Sequence, residues 1–132
     1  MKSLSEKQKQ DILSVAYQSA SLDIWDKKYC LKDITGRSID LNIEGTFKRV
    51  AKALAKVEHP DVQDKWEKEF FWALSSGAIP AGRIMSNAGA GKHKPATSTI
   101  NCTVSGSIAD SMTGILKKVT EAGLTLKAGC GI

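Results

Sequence analysis

The feature that most constrains this chain is an apolar stripe: Phe47, Val50, Ala51 and Leu54 recur at i, i+3, i+4 and i+7, and Val57 continues the series. At 3.6 residues per turn these side chains share one face of a helix, while Lys48, Arg49, Lys52 and Lys56 lie off it. A helix of this kind is stable only when another apolar surface covers the stripe. His59-Pro60 ends it, because proline disfavours helical geometry in the residue before it and has no N–H to donate. Asp61 is then placed to cap a further helix whose Val62, Trp66, Phe70, Ala73 and Leu74 supply a matching stripe, with Gly77 as its stop. Upstream, Ser3 and Glu6 fit the S-x-x-E capping box of a helix reaching about Ala20, with Ile12, Leu13, Ala16, Tyr17 and Ala20 at helical spacing. Residues 22–31 mix aromatic and charged side chains without a clean period, and Thr35-Gly36-Arg37 reads as a turn. Residues 1–77 therefore form one expected unit, an N-terminal helical region.

Composition narrows the class. With 42% hydrophobic and 25% charged residues over 132 positions, the chain can build one globular core and falls outside the disordered range. No apolar run approaches the roughly 20 residues that span a bilayer, and the N-terminus lacks a signal-peptide core, so a cytoplasmic protein with no membrane contact is expected. The net charge of +5 comes from lysines spread over helical faces, which predicts solvated helices and no direct nucleic-acid binding. The cluster Lys92-His93-Lys94 is an exception: it follows a glycine loop and reads first as an exposed loop, with a phosphate contact as the alternative. His59 has no cysteine or second histidine at motif spacing and reads as a helix-end residue. Three widely spaced cysteines, Cys30, Cys102 and Cys130, fit neither a zinc site nor a disulfide framework, and reduced thiols follow. Cys30 is most simply a small packing residue.

After Gly77 the character changes. Residues 78–91 are rich in glycine and small side chains, which predicts extended backbone and turns in a site-forming loop. The loop is not a nucleotide motif: Ser86 stands at the first glycine of G-x-x-x-x-G-K-S/T and His93 at its hydroxyl position, while Lys94 takes the third glycine of G-x-G-x-x-G. In residues 97–105, Thr97, Thr99, Ile100, Thr103 and Val104 have the β-branched composition of a strand, with Cys102 inside it. Asp110-Ser111 caps a helix whose Met112, Ile115, Leu116, Val119 and Gly123 share a side, and Gly129-Cys130-Gly131 makes a turn. Strand and helix make a βα unit, and sites in such units gather where strand ends meet helix starts. On pattern alone Cys102 is either a buried structural thiol in a non-enzymatic helical interaction module or a reactive group.

A resemblance favours the second. The segments Ile79-Pro80-Ala81-Gly82-Arg83-Ile84, Asn87-Ala88-Gly89, Ile100-Asn101-Cys102, Asp110-Ser111 and Lys127-Ala128-Gly129-Cys130-Gly131-Ile132 resemble, in order and spacing, the large catalytic chain of ribonucleotide reductases. The likeness is closest to the adenosylcobalamin-dependent class II type. It is dense in the second half of the chain and loose in the first.

The resemblance implies the N-terminal portion of an enzyme that makes deoxyribonucleotides from ribonucleoside di- or triphosphates by thiyl-radical chemistry. The implied fold is an α-rich N-terminal region followed, over residues 78–132, by the first strand–helix unit of a catalytic α/β barrel, ten-stranded in the family. Cys102 matches the first cysteine of the reducing pair. Asn101, Ala128 and Gly129 match positions around the substrate, and Gly82 stands where some relatives carry a hydroxyl for the substrate phosphate. Asp110 and Ser111 match positions near the allosteric effector site. Cys130 departs from the glycine or aliphatic residue common in the wider family and reads as a bystander rather than a partner of Cys102. The radical cysteine, the second reducing cysteine and most contacts to adenosylcobalamin would lie outside these residues, so activity requires a complementary C-terminal part. A ribonucleotide substrate, a nucleotide effector and a thioredoxin-like reductant are the other implied partners; no resident metal ligand is implied in this chain.

Overall fold

The computed structural model describes residues 16–94 and 98–132. Most of the helix expected from Ser3 to Ala20 therefore lies outside the described residues, as does Thr97.

Five α-helices are described: α1 (Ser19–Ile24), α2 (Ile43–Ala55), α3 (Gln63–Ser75), α4 (Gly82–Asn87) and α5 (Met112–Lys127). A π-helical turn, Trp25–Tyr29, extends α1, and a 3-10 turn, Pro60–Val62, precedes α3. The stripe that defines α2 is the centre of the molecule: Phe47, Val50 and Ala51 are buried together with Leu74 of α3 and with Met85 and Ala88 at α4. Helices α2 and α3 pack along each other as a helical hairpin, as two complementary stripes joined by a short connection should. Asn42 starts α2 by accepting the Gly45 N–H on its side-chain oxygen at 2.8 Å.

Four local expectations are corrected. Residues 22–31 are helical through Tyr29, because Trp25 is anchored from outside its own segment: its Nε1–H donates to Thr46 Oγ1 at 2.9 Å. Asp61 does not cap α3. Proline's fixed φ starts a 3-10 turn at Pro60, which moves the helix start past Asp61, and the exposed carboxylate lies 3.3 Å from His59 Nδ1. Residues 78–91 are not wholly extended, since α4 forms within them; Met85 and Ala88 gain burial against α2 by being helical, and packing overrides a weak local propensity. Arg49, assigned to the solvated side of α2, is largely buried against Asp40.

The strand expected around Cys102 is reduced, among the described residues, to one isolated parallel bridge between Cys102 and Gly131. A parallel strand needs backbone partners along its length, and only Gly131 lies opposite. The apolar face predicted for α5 is present but uncovered, with Val119 63% exposed and no buried residue on the helix. No helix among the described residues is long and apolar enough to cross a membrane.

Candidate functional site

The site around Cys102 is tied to the helical core by a chain of polar contacts that begins at a buried ion pair. Asp40 and Arg49 meet at 2.8 Å, with side chains only 3% and 10% exposed. Asp40 also accepts the Leu31 N–H at 3.0 Å and the Thr46 hydroxyl at 2.7 Å. Burial pushes the Asp40 carboxyl up, but the Arg49 guanidinium, the Thr46 hydroxyl and the Leu31 N–H together outweigh it and hold the group below its ordinary value. Arg49 spends its remaining N–H groups on the carbonyls of Tyr29, Met85 and Ala88, so one side chain fastens the π-helical turn and the end of α4 to α2. The chain then turns at Gly89, whose φ of +74° suits glycine and whose missing Cβ leaves room for Arg49 Cγ.

From the end of α4, buried Asn87 donates its side-chain N–H to the Ser98 carbonyl at 2.6 Å. The Ser98 hydroxyl in turn accepts the Ile100 N–H at 3.1 Å. Cys102 follows. The Gly131 N–H donates to the Asn101 carbonyl at 3.0 Å, and the Thr103 N–H donates to the Gly131 carbonyl at 2.9 Å, which sets Cys102 and Gly131 opposite each other. Paired residues in a parallel register project to the same face, and successive residues alternate. A Cβ on Gly131 would stand 3.1 Å from Cys102 Sγ, so the glycine is what gives the thiol its space. Cys130 faces the other way and is buried, its thiol directed to the Gly131 carbonyl at 3.4 Å, while Cys102 is exposed. The register thus turns Cys130 away from Cys102. Asn101 places its side-chain amide 3.6 Å from Cys102 Sγ.

The other residues singled out from the sequence divide into two groups. Ala128 and Gly129 end α5 immediately before the Cys102 bridge; the Gly129 N–H donates to the Leu126 carbonyl and the Cys130 N–H to the Thr125 carbonyl, with φ +80° at Gly129. The Arg83 guanidinium lies against Gly129 so closely that any Cβ there would collide with it. Gly82, next to Arg83, is packed against the Tyr29 phenol and borders an apolar cavity of about 230 Å³ lined also by Trp25, Phe47, Pro80 and Met85. Asp110 and Ser111 lie at the far end of α5, which at 16 residues is about 24 Å long. There the Ser111 hydroxyl accepts the Gly114 N–H at 3.1 Å as the helix cap, whereas Asp110 makes no cap bond. Asn101, Cys102, Ala128 and Gly129 are therefore brought together, Gly82 adjoins them through Arg83, and Asp110-Ser111 is separate.

Three contributors were missed in the sequence. Asp40 sits in an irregular segment without a motif, Arg49 has the spacing of a surface cation, and Arg83 lies in a stretch read as a loop. The Ser105–Glu121–Lys118 cluster was also silent: Lys118 donates to Ser105 at 2.8 Å and to Glu121 at 2.7 Å, and Ser105 donates to Glu121 at 2.9 Å. Hydrogen bonds from Lys118 and then Ser105 hold the Glu121 carboxyl below its usual range, and the cluster straps the segment after Cys102 onto α5.

Chemically, the arrangement presents one accessible thiol beside an amide, open to thiol–disulfide exchange. Among the described residues no group of three or more His, Cys, Asp or Glu could hold a metal ion. Compared with known families, residues 15–93 match the family described as ribonucleotide reductase, all-alpha domain. The match takes in α1 to α4 and the Asp40–Arg49 pair and ends before Cys102. A comparison with curated proteins finds no match.

Proposed function

The chain belongs to the ribonucleotide reductase all-alpha domain family, which makes it part of a reductase large chain, and from that premise we propose that it supplies the first half of the thiol pair that reduces ribonucleotides. In this reading residues 1–77 are the helical region and residues 78–132 the start of the catalytic barrel. The observation that carries it is the exposure of Cys102, set by register on the face away from Cys130 and tethered by Asn87 to the family's helical core.

The reaction balances as follows. A ribonucleotide and two thiols give a deoxyribonucleotide, a disulfide and water: two electrons and two protons leave the thiols, and the 2′ oxygen departs as water. Cys102 is one of the two thiols, and the second belongs to the complementary C-terminal part. An exposed Cys102 is open to the exchange that returns the disulfide to thiols, with a thioredoxin-like dithiol as reductant. Asn101 faces the ribose, Gly82, Ala128 and Gly129 border the substrate where backbone can approach it closely, and Asp110 and Ser111 hold the nucleotide effector at the far end of α5.

Adenosylcobalamin, implied by the class II resemblance, would not enter the cavity behind Gly82, which at about 230 Å³ is too small for a corrin ring. Its binding is assigned to the complementary part, and none of the steps above passes through it.

The test uses the assembled reductase containing this chain, with deoxyribonucleotide formation followed for wild type and Cys102→Ser with a thioredoxin-like reductant. The serine variant should lose multiple turnover. Sustained turnover by Cys102→Ser would remove the proposed role.

A further inference from the structure

The extended segment that carries Cys102 is held by very little backbone. Its isolated bridge consists of the Gly131 N–H on the Asn101 carbonyl and the Thr103 N–H on the Gly131 carbonyl. A segment pinned at one bridge is weakly specified in register, and a slip of one residue turns every side chain to the opposite face. Upstream, Asn87 tethers it at Ser98. Downstream, between Cys102 and the cap at Ser111, Ser105 is the only residue whose side chain makes a hydrogen bond among the described residues. Side chains alternate along extended backbone, so Cys102 and Val104 share one face and Ser105 falls on the other. The exposures agree: Cys102 is open and Val104 is 98% exposed, while Ser105 is half-buried against α5.

Lys118 and Glu121, three positions apart on α5, meet Ser105 there. The Lys118 ammonium, its side chain only 21% exposed, donates to the Ser105 hydroxyl at 2.8 Å and to the Glu121 carboxylate at 2.7 Å. The same hydroxyl donates to Glu121 at 2.9 Å, so it is donor and acceptor at once and its direction is fixed from both sides. We propose that Ser105, Lys118 and Glu121 form a register lock for the thiol. By gripping the segment from the face opposite Cys102, they keep the sulfur outward and over Gly131. None of the three touches the sulfur, so they are positioning residues. The consequence for turnover rests on the reductase reading; the lock itself does not.

The test compares Ser105→Ala, Lys118→Met and Ser105→Thr in the assembled reductase by amide hydrogen exchange and by single-turnover rate after prior reduction. Losing a hydrogen bond of ordinary net strength shifts a local opening equilibrium about fivefold. Ser105→Ala and Lys118→Met should therefore each speed exchange at the Thr103 and Gly131 amides by about that factor, with exchange in α2 and α3 unchanged. Transfer steps at a thiol tolerate little misplacement, so the single-turnover rate at saturating substrate should fall about threefold or more while KM stays as it was. Ser105→Thr keeps the hydroxyl on a residue suited to extended backbone and should restore both readouts. Unchanged exchange at the two bridge amides in Ser105→Ala and Lys118→Met would overturn the lock. So would equal acceleration in Ser105→Thr, or acceleration spread through α2 and α3, since the cluster would then be ordinary packing. Faster exchange at the bridge with an undiminished single-turnover rate would overturn the positioning role. Sustained turnover in Cys102→Ser defeats the reductase reading by itself, and the exchange measurement, which needs no turnover, still decides whether the three residues hold the register.

Discussion

Replacing Arg49 by methionine should be among the most damaging single changes in the helical core. The side chain is 10% exposed and its partner Asp40 3% exposed, so the substitution leaves a carboxylate buried without its cation. It also removes the donors to the carbonyls of Tyr29, Met85 and Ala88. Breaking a buried pair by removing one member costs about 3–5 kcal/mol. The Leu31 N–H and Thr46 hydroxyl still support Asp40 and place Arg49→Met toward the lower end of that range. Asp40→Asn keeps the shape but weakens the same network, and in the double variant no charge is stranded. The two changes should therefore be less than additive, with a coupling of about 1–3 kcal/mol. Urea unfolding followed by tryptophan fluorescence measures all four corners of the cycle; Trp25 reports directly, because its indole N–H is bonded to Thr46 within the network. A loss below about 1 kcal/mol for Arg49→Met, or strict additivity, would refute the view that this pair holds α4 onto α2. The pH dependence has a definite sign. Asp40 titrates lower in the folded chain than its ordinary 3.8, so the unfolded chain binds more protons in acid. Its stabilising contribution is complete above the ordinary carboxylate range and is lost as pH falls through the depressed folded value. Asp40→Asn should accordingly flatten the acid limb of the stability curve.

Other consequences are equally direct. Under native conditions a thiol reagent should label Cys102 quickly and Cys30 and Cys130 slowly, and equal rates at Cys102 and Cys130 would contradict the register. Gly131→Ala places a methyl group 3.1 Å from Cys102 Sγ and should slow that labelling without a large stability loss; an unchanged rate would mean the thiol does not sit over Gly131. Ser111→Ala should cost about 1 kcal/mol by removing the cap on Gly114, measured as lost helicity or lower melting temperature, and no effect would refute the cap. Gly129→Asn should displace the Arg83 guanidinium at little cost in stability, because the atoms its Cβ meets are the far end of a flexible side chain and asparagine tolerates the positive φ after a helix end; a large loss that Arg83→Ala restores would refute this and show the guanidinium to be fixed in place.

Much of the helical hairpin was legible because periodic burial writes itself into spacing: Phe47, Val50 and Ala51 were readable as core, and Leu74 as their cover, before any coordinates. Ser111 as a cap and Gly77 as a stop were readable for the same local reason, the latter borne out by its φ of +95°. The candidate site was readable only through the order of its segments. No spacing rule connects Asp40 to Arg49, Asn87 to Ser98 or Arg83 to Gly129, since each pair is joined by folding and not by periodicity. Residues 82–87 look like loop by composition and become helix because Met85 is buried against α2.

By itself, then, the sequence determined where the apolar stripes of α2 and α3 lie, where their turns fall and which cysteine stands in a β-branched segment, because these depend on neighbours within one or two turns. The tertiary structure alone decided that Arg49 is a buried strut and not a surface cation, that Cys102 is open while Cys130 is closed, and that Arg83 is laid across a glycine. The reason is that burial and electrostatic environment are set by what the rest of the chain brings alongside a residue, and for Arg83 that partner lies 46 positions away, at Gly129.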